Sequence, residues 1–200
     1  MRMTAEIRWF WAGRPPPHFA AWFREAGPAW GGASDSKSRI DAYVRDTGQS
    51  ALGIKRRGSS PGVEIKGLIS TRPRVLELAG CACPIGLWGK WSAGIARAED
   101  RLIHIAKERW MRKFAVVDGT ARELPSESGE RRAGCDVELT LLNGPDGTPW
   151  WTLGFEAFGA FDAVEDDLVA TVAVMRRRSP PPLPAGQASG YPGWLARQVW

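Results

Sequence analysis

Ionisable side chains recur at every second residue in several separate segments of this chain. Lys55 and Arg57 form one such pair, followed by Glu64 and Lys66, Lys107 and Arg109, and Asp136 and Glu138; Glu156 stands two positions after Gly154. Alternate residues of a strand share a face. The charged members therefore fall on one side, and Ile54, Val63, Ile65, Val137, Leu139, Leu153 and Phe155 fall on the other. This pattern calls for a sheet with one charged face. In an open sheet that face is solvated; in a sheet closed on itself it becomes the lining of a pore.

Two hundred residues with 44% hydrophobic content suffice for one sizeable core and exclude a disordered chain. A net charge of +5 and a pI near 9.4 favour anionic partners. The longest basic run is Arg176-Arg177-Arg178, and the other basic residues alternate with apolar ones, which favours a small phosphate-rich anion over nucleic acid. No segment is long and apolar enough to span a bilayer, so a membrane partner is not expected. The aromatic N-terminus carries Glu6 and Arg8 and lacks the features of a secretory signal, so the cytoplasm is the expected location. The three cysteines do not form a disulfide framework. Cys81-Ala82-Cys83 is half of a metal-binding pattern with no second half, and neither Cys135 nor His18 or His104 completes it. Small buried thiols are the expected use.

Along the chain, residues 5–11 predict a first strand, broken by Gly13 and Pro15-Pro16-Pro17. Phe19, Trp22 and Phe23 have helical spacing before Gly27-Pro28. Residues 38–45, 52–57 and 63–68 predict a meander with turns at 46–48 and 58–62. Residues 71–98, rich in glycine around Trp88 and Trp91, predict an irregular loop with a helical turn or two covering a barrel mouth. Residues 102–117 suit both periods, and Ile103, Ile105, Lys107 and Arg109 in alternation favour a strand. A polar loop over 122–134 leads to strands at 135–142 and 150–158, joined by a turn at 144–147. Val164, Leu168, Val172 and Met175 predict a helix over 161–176. The expected division is a barrel domain over 1–178 and a proline-rich tail over 179–200. In the tail Pro180 to Pro184 act as an extended spacer, and Tyr191, Trp194 and Leu195 are apolar anchors that could pack back. The eleven tryptophans, Trp9, Trp11, Trp150 and Trp151 among them, suit packing better than base stacking.

No glycine-rich phosphate loop and no nucleophile–base spacing is present. The order of elements and charges resembles the CYTH-like, or triphosphate tunnel metalloenzyme, superfamily over roughly residues 5–175. Asp41-Ala42-Tyr43-Val44-Arg45-Asp46-Thr47 is similar to that family's D-x-Y-F-D-T strand and turn, and Leu52-Gly53-Ile54-Lys55-Arg56-Arg57 to its L-R-I-R strand. Gly62-Val63-Glu64-Ile65-Lys66 stands in place of the basic hairpin partner; Lys107 with Arg109, Glu138 and Glu156 stand where the family has one basic and two acidic strands. The resemblance implies an α+β, mainly antiparallel closed or nearly closed β-barrel with flanking helices and a charged tunnel. It implies binding, and hydrolysis, of a triphosphate or polyphosphate. Arg8, Lys55, Arg57, Lys66, Lys107 and Arg109 would contact phosphate. Mg²⁺ or Mn²⁺ would be held by Glu6, Glu64, Glu138 and Glu156, with Glu138 and Glu156 in the catalytic role.

The family's opening E-x-E-x-K is here Glu6-Ile7-Arg8-Trp9-Phe10, and its late E-x-E is Glu156-Ala157-Phe158. Arg8 places positive charge where a metal ligand is expected, which favours a binding module without turnover. A third expectation is a structural barrel in which Glu64, Glu138 and Glu156 pair with neighbouring cations across strands, leaving a basic exterior for a protein or nucleic-acid partner.

Overall fold

The computed structural model describes residues 2–27, 37–44, 50–58, 62–93, 102–125, 127–129 and 131–199. In chain order its elements are β1 (Arg2–Ala12), α1 (Pro17–Glu25), β2 (Lys37–Val44), β3 (Leu52–Arg57), β4 (Val63–Leu78), β5 (Cys81–Ala93), β6 (Leu102–Val117), β7 (Thr120–Leu124), β8 (Gly134–Asn143), β9 (Pro149–Gly159), α2 (Val164–Arg177), β10 (Gln187–Ala188) and α3 (Tyr191–Ala196).

Eight strands close into an antiparallel barrel in the order β1-β5-β4-β3-β2-β6-β8-β9. The ring is sealed by β1, which pairs along its length with β9, from Met3↔Gly159 to Ala12↔Trp150, and on its other edge with β5. Where β5 leaves that edge, β10 takes over at Trp9 and Phe10. The extra strand β7 folds back on the end of β6. The mainly β, closed-barrel architecture that the resemblance implied is present, and of the open and closed sheets that the alternation allowed it is the closed one that forms.

Two expectations change. Most of residues 71–98, read as a loop, lies in the long β4–β5 hairpin; 94–98 lie outside the described residues. The glycines that suggested a loop make room for indoles instead. A Cβ at Gly86 would fall 2.6 Å from Trp88 Nε1, and one at Gly89 2.7 Å from the Trp91 ring. Each tryptophan covers the glycine two positions earlier on its own face. Likewise the end of β7 takes up the first part of the polar segment 122–134. The expected turn at 46–48 and most of that at 58–62 lie outside the described residues.

The larger apolar core is outside the barrel, between its wall and the helices. Ile7, Trp9, Val137, Leu153 and Phe155 point outward to meet Phe19 and Phe23 of α1 and Val164, Leu168, Val172 and Met175 of α2. Residues 164, 168, 172 and 175 recur at helical spacing, so α2 presents one apolar stripe to the wall. Glu165, Asp166 and Asp167 in its first turn and Arg176 and Arg177 in its last complement the helix dipole. Arg112, buried beneath α1, donates to the Phe23 carbonyl at 2.7 Å and to Glu123 at 2.7 Å, and Glu123 also pairs with Arg178 at 2.6 Å. This ionic knot fastens both helices to β6 and β7.

A second, smaller apolar cluster is inside the barrel, at one end. Phe10, Tyr43, Ile105 and Leu142 from four strands enclose Trp194 and Leu195 of α3. The chain reaches that point along the proline-rich strap. Leu183 N–H donates to Ala79 O at 2.9 Å, and the Pro184 carbonyl accepts from the Trp11 indole at 3.0 Å. Trp194 then stacks on Phe10 with ring centroids 4.9 Å apart. The tail therefore forms the floor of the barrel.

Candidate functional site

Above that floor lies a cavity of about 750 Å³, including its open mouth. Its lining residues alternate along their strands: Glu6 and Arg8 on β1, Gly53, Lys55 and Arg57 on β3, Glu64 and Lys66 on β4, Trp88 and Lys90 on β5, Lys107 and Arg109 on β6, Glu138 and Thr140 on β8. Glu156 of β9 completes the ring. Every residue singled out from the sequence as a binding, catalytic or metal-ligating candidate faces this one cavity. Side-chain exposure falls from 40% at Arg57 to 3% at Arg8 and 2% at Lys107, so the cavity opens beside Arg57 and deepens toward α3.

The lining divides into two electrostatic halves. On the β1–β9–β8 side charges balance. Arg8 Nε contacts Glu6 at 2.7 Å and its Nη2 approaches Glu138 at 3.7 Å, while Arg109 holds Glu138 at 3.0 Å. Lys66 donates to both Glu6 and Glu156. Burial pushes the Glu138 carboxyl up, but Arg109 and Arg8 outweigh it and bring it down to about 2. Burial likewise raises Glu156, yet Lys66 and Lys90 hold it well below the usual carboxylate range. Arg8 is favoured in its charged form because Glu6, Tyr191 and Glu138 overcome its desolvation.

The opposite wall is cation-rich. Asp41, fully buried on β2, is shared by Arg39 at 3.0 Å, Lys107 at 3.1 Å and Lys55 at 3.9 Å. Glu64 is shared by Arg57 at 3.1 Å, Lys55 at 3.3 Å and Lys90 at 3.5 Å. Among the described residues, five cations thus form ion pairs with two carboxylates. Burial pushes the Lys107 ammonium far below its ordinary value against the pull of Asp41, with Lys55 and Arg39 adding repulsion. Lys55 is lowered too, again chiefly by burial.

Arg39, Lys90, Tyr43, Trp88, Thr140 and Tyr191 were not singled out from the sequence but line the same cavity. Arg39 was accessible to the alternation rule, standing two residues before Asp41 on a strand already recognised. Lys90 lies in the segment read as a loop, and Tyr191 lies far along the chain from the strands it joins, 148 residues after Tyr43 and 84 after Lys107.

The four glutamates implied as metal ligands do not fit a divalent ion in this arrangement. The position between Glu6 and Glu156 is filled by the Lys66 ammonium, Arg8 and Arg109 meet Glu138, and three cations meet Glu64. No group of three or more His, Cys, Asp or Glu side chains able to hold a metal occurs among the described residues. The cysteines are unpaired and buried, and burial raises the Cys83 thiol to about 11, so they are inert. His104 sits exposed on β6 as a sheet-face residue. Among the described residues no helix is long and apolar enough to cross a membrane. No protein-family model and no curated protein matches this chain.

Proposed function

We propose that the barrel binds a phosphate-rich anion, a triphosphate or polyphosphate, within its basic cavity. The observation that carries this reading is the wall where, among the described residues, Arg39, Lys55, Arg57, Lys90 and Lys107 form their ion pairs within 4 Å with Asp41 and Glu64. Two unit charges 4 Å apart repel by about 4 kcal/mol at an effective dielectric of 20. An enclosed surplus of cations is therefore a standing cost that an anion removes. Lysines supply compact charge and arginines two-pronged contacts, the chemistry that phosphate oxygens accept.

Binding is favoured over metal-assisted hydrolysis because the glutamates are already engaged by cations. Glu138, ionised down to about pH 2, could not donate a proton to a leaving group near neutrality. A second reading, a barrel whose charges only pair internally, draws on the same ion pairs but leaves the cation-rich wall uncompensated.

The test is thermal shift and calorimetry with tripolyphosphate and ATP, alongside phosphate release with and without Mg²⁺ or Mn²⁺. The binding reading expects a rise in Tm that Lys55→Ala and Arg57→Ala diminish. Metal-dependent release abolished by Glu138→Gln and Glu156→Gln would replace it with the enzyme reading. An unchanged Tm and no release would leave the paired-charge barrel.

A further inference from the structure

Resting on the anion-binding reading, we propose that the deep end of the cavity is a site for a terminal phosphoryl group, and that the C-terminal tail supplies part of it. The ligand class is then a phosphate compound with a free end, inserted end-first, and not the internal stretch of a chain blocked at both ends.

Two observations converge. The barrel is closed at this end by α3: Trp194 stacks on Phe10, Tyr191 meets the same Phe10 edge-on at 5.3 Å, and Trp150 abuts Trp194 at 5.8 Å. A ligand entering beside Arg57 meets this aromatic floor end-on. Immediately above the floor, three buried polar atoms of cavity-lining residues have no hydrogen-bond partner among the described residues: Arg8 Nη1, Thr140 Oγ1 and Tyr191 Oη. Buried polar groups are nearly always paired, so three orphans lining one closed end call for a missing partner.

Their chemistry specifies that partner. A guanidinium N–H, a hydroxyl and a phenol all donate, and the Lys107 ammonium lies 3.7 Å from the Tyr191 ring centroid, with the Arg8 guanidinium 4.9 Å from it. Several donors and two cations gathered above this floor suit the oxygens of a terminal phosphoryl group, which carries more charge and more free acceptors than a bridging phosphate. Tyr191 is held in place for this role by stacking on Tyr43, 5.8 Å away with ring planes 16° apart, and by Pro192 seated over Gly53.

The experiment compares calorimetric affinities of the full chain for tripolyphosphate and ATP, which have a free end, with diadenosine triphosphate and cyclic trimetaphosphate, which have none. Free-ended ligands are expected to bind at least about ten-fold more tightly, the worth of one or two charge-assisted hydrogen bonds. Tyr191→Phe keeps the ring and its stacking, and should leave the Tm of the ligand-free protein unchanged while weakening tripolyphosphate about ten-fold and narrowing the preference for free ends. Thr140→Val, nearly isosteric, is the second variant and should act in the same direction. Equal binding of blocked and free-ended ligands, or wild-type affinity in both variants, would overturn the deep-end site while leaving the basic cavity intact. Binding of none of the four compounds would overturn both readings together.

Discussion

Glu6 and Glu156 face each other directly across the β1–β9 ladder, and the ammonium of Lys66 reaches over from β4 to donate to both. Two opposed carboxylates are a natural cation site, and here the protein fills it with its own side chain. Burial lowers the Lys66 ammonium, but Glu156 and Glu6 more than reverse this and keep it charged. Lys66→Met should leave the carboxylates repelling each other and cost about 2–4 kcal/mol, less than the 3–5 of a fully buried pair because Lys66 and Glu156 are partly exposed. Millimolar Mg²⁺ should then raise the Tm of the variant, by occupying the vacated position, and leave the ligand-free wild type unmoved. A wild-type Tm that rises with Mg²⁺ alone would show that the native glutamates admit a metal.

Gly154 makes the position of Arg8 possible. It stands opposite Arg8 on one side and Glu138 on the other, and a Cβ there would fall 2.3–2.5 Å from the guanidinium atoms. Gly154→Ala should displace Arg8 from between Glu6 and Glu138. We expect a loss of about 1–3 kcal/mol in urea unfolding, the scale of overpacking a closed site, and a weakening of tripolyphosphate by about ten-fold. Unchanged affinity would mean that Arg8 makes no contact with the anion.

The sequence pattern revealed the wall of the site better than its ends. A period of two is intrinsic to a strand, so once Lys55, Glu64, Lys107 and Glu138 alternated with apolar residues, their common face followed without tertiary information. The same rule applied to β2 would have added Arg39. The β5 strand escaped it because Gly86 and Gly89 serve the rings of Trp88 and Trp91, and glycine by itself reads as a break. Whether the charged face met itself around a ring depended on β1 pairing with both β5 and β9, which no local pattern encodes. Tyr191 was the least legible member. Its place at the cavity depends on Trp194 and Leu195 filling the space inside Phe10 and Leu142, a packing event between distant segments.

Glu123 tests the scaffold apart from the site. Its carboxylate joins Arg112, whose side chain is wholly buried, to Arg178 beyond the end of α2. Glu123→Gln should strand a buried guanidinium and lower stability by about 3–5 kcal/mol. Because this knot is on the outer face of the wall, anion affinity measured well below the variant's Tm should stay within about two-fold of wild type, as expected for distant, independent sites. A large loss of affinity would instead couple the helical layer to the cavity.

Acid should weaken the balanced half of the site. The folded pKa of Glu138 is depressed to about 2 from an ordinary 4.5, through Arg109 and Arg8 acting against burial. Its stabilising contribution is therefore present above pH 4.5 and is lost as pH falls toward 2. The shift corresponds to something on the order of 3 kcal/mol. Unfolding free energies measured from pH 6 to pH 3 should fall less steeply in Glu138→Gln than in wild type, and identical slopes would remove Glu138 from the acid response.

At the alkaline end stability again rises with pH, and Lys107 governs the change. Burial lowers its ammonium far below the ordinary value, with Lys55 and Arg39 adding repulsion that Asp41 only partly offsets; Tyr43 and Tyr191 complete its surroundings. A lysine with a depressed folded pKa opposes folding while it is charged, and that penalty is relieved as pH rises through the folded pKa toward 10.5. An anion placed beside Lys107 favours the charged form and draws the pKa back up. Binding at mildly alkaline pH should therefore take up protons, and affinity should fall as pH rises. Titrating tripolyphosphate in two buffers of different ionisation enthalpy measures the uptake directly. In Lys107→Met the uptake should shrink and the affinity should become less dependent on pH, whereas an unchanged uptake would assign the bound proton to another group, such as Lys55, whose pKa burial also lowers.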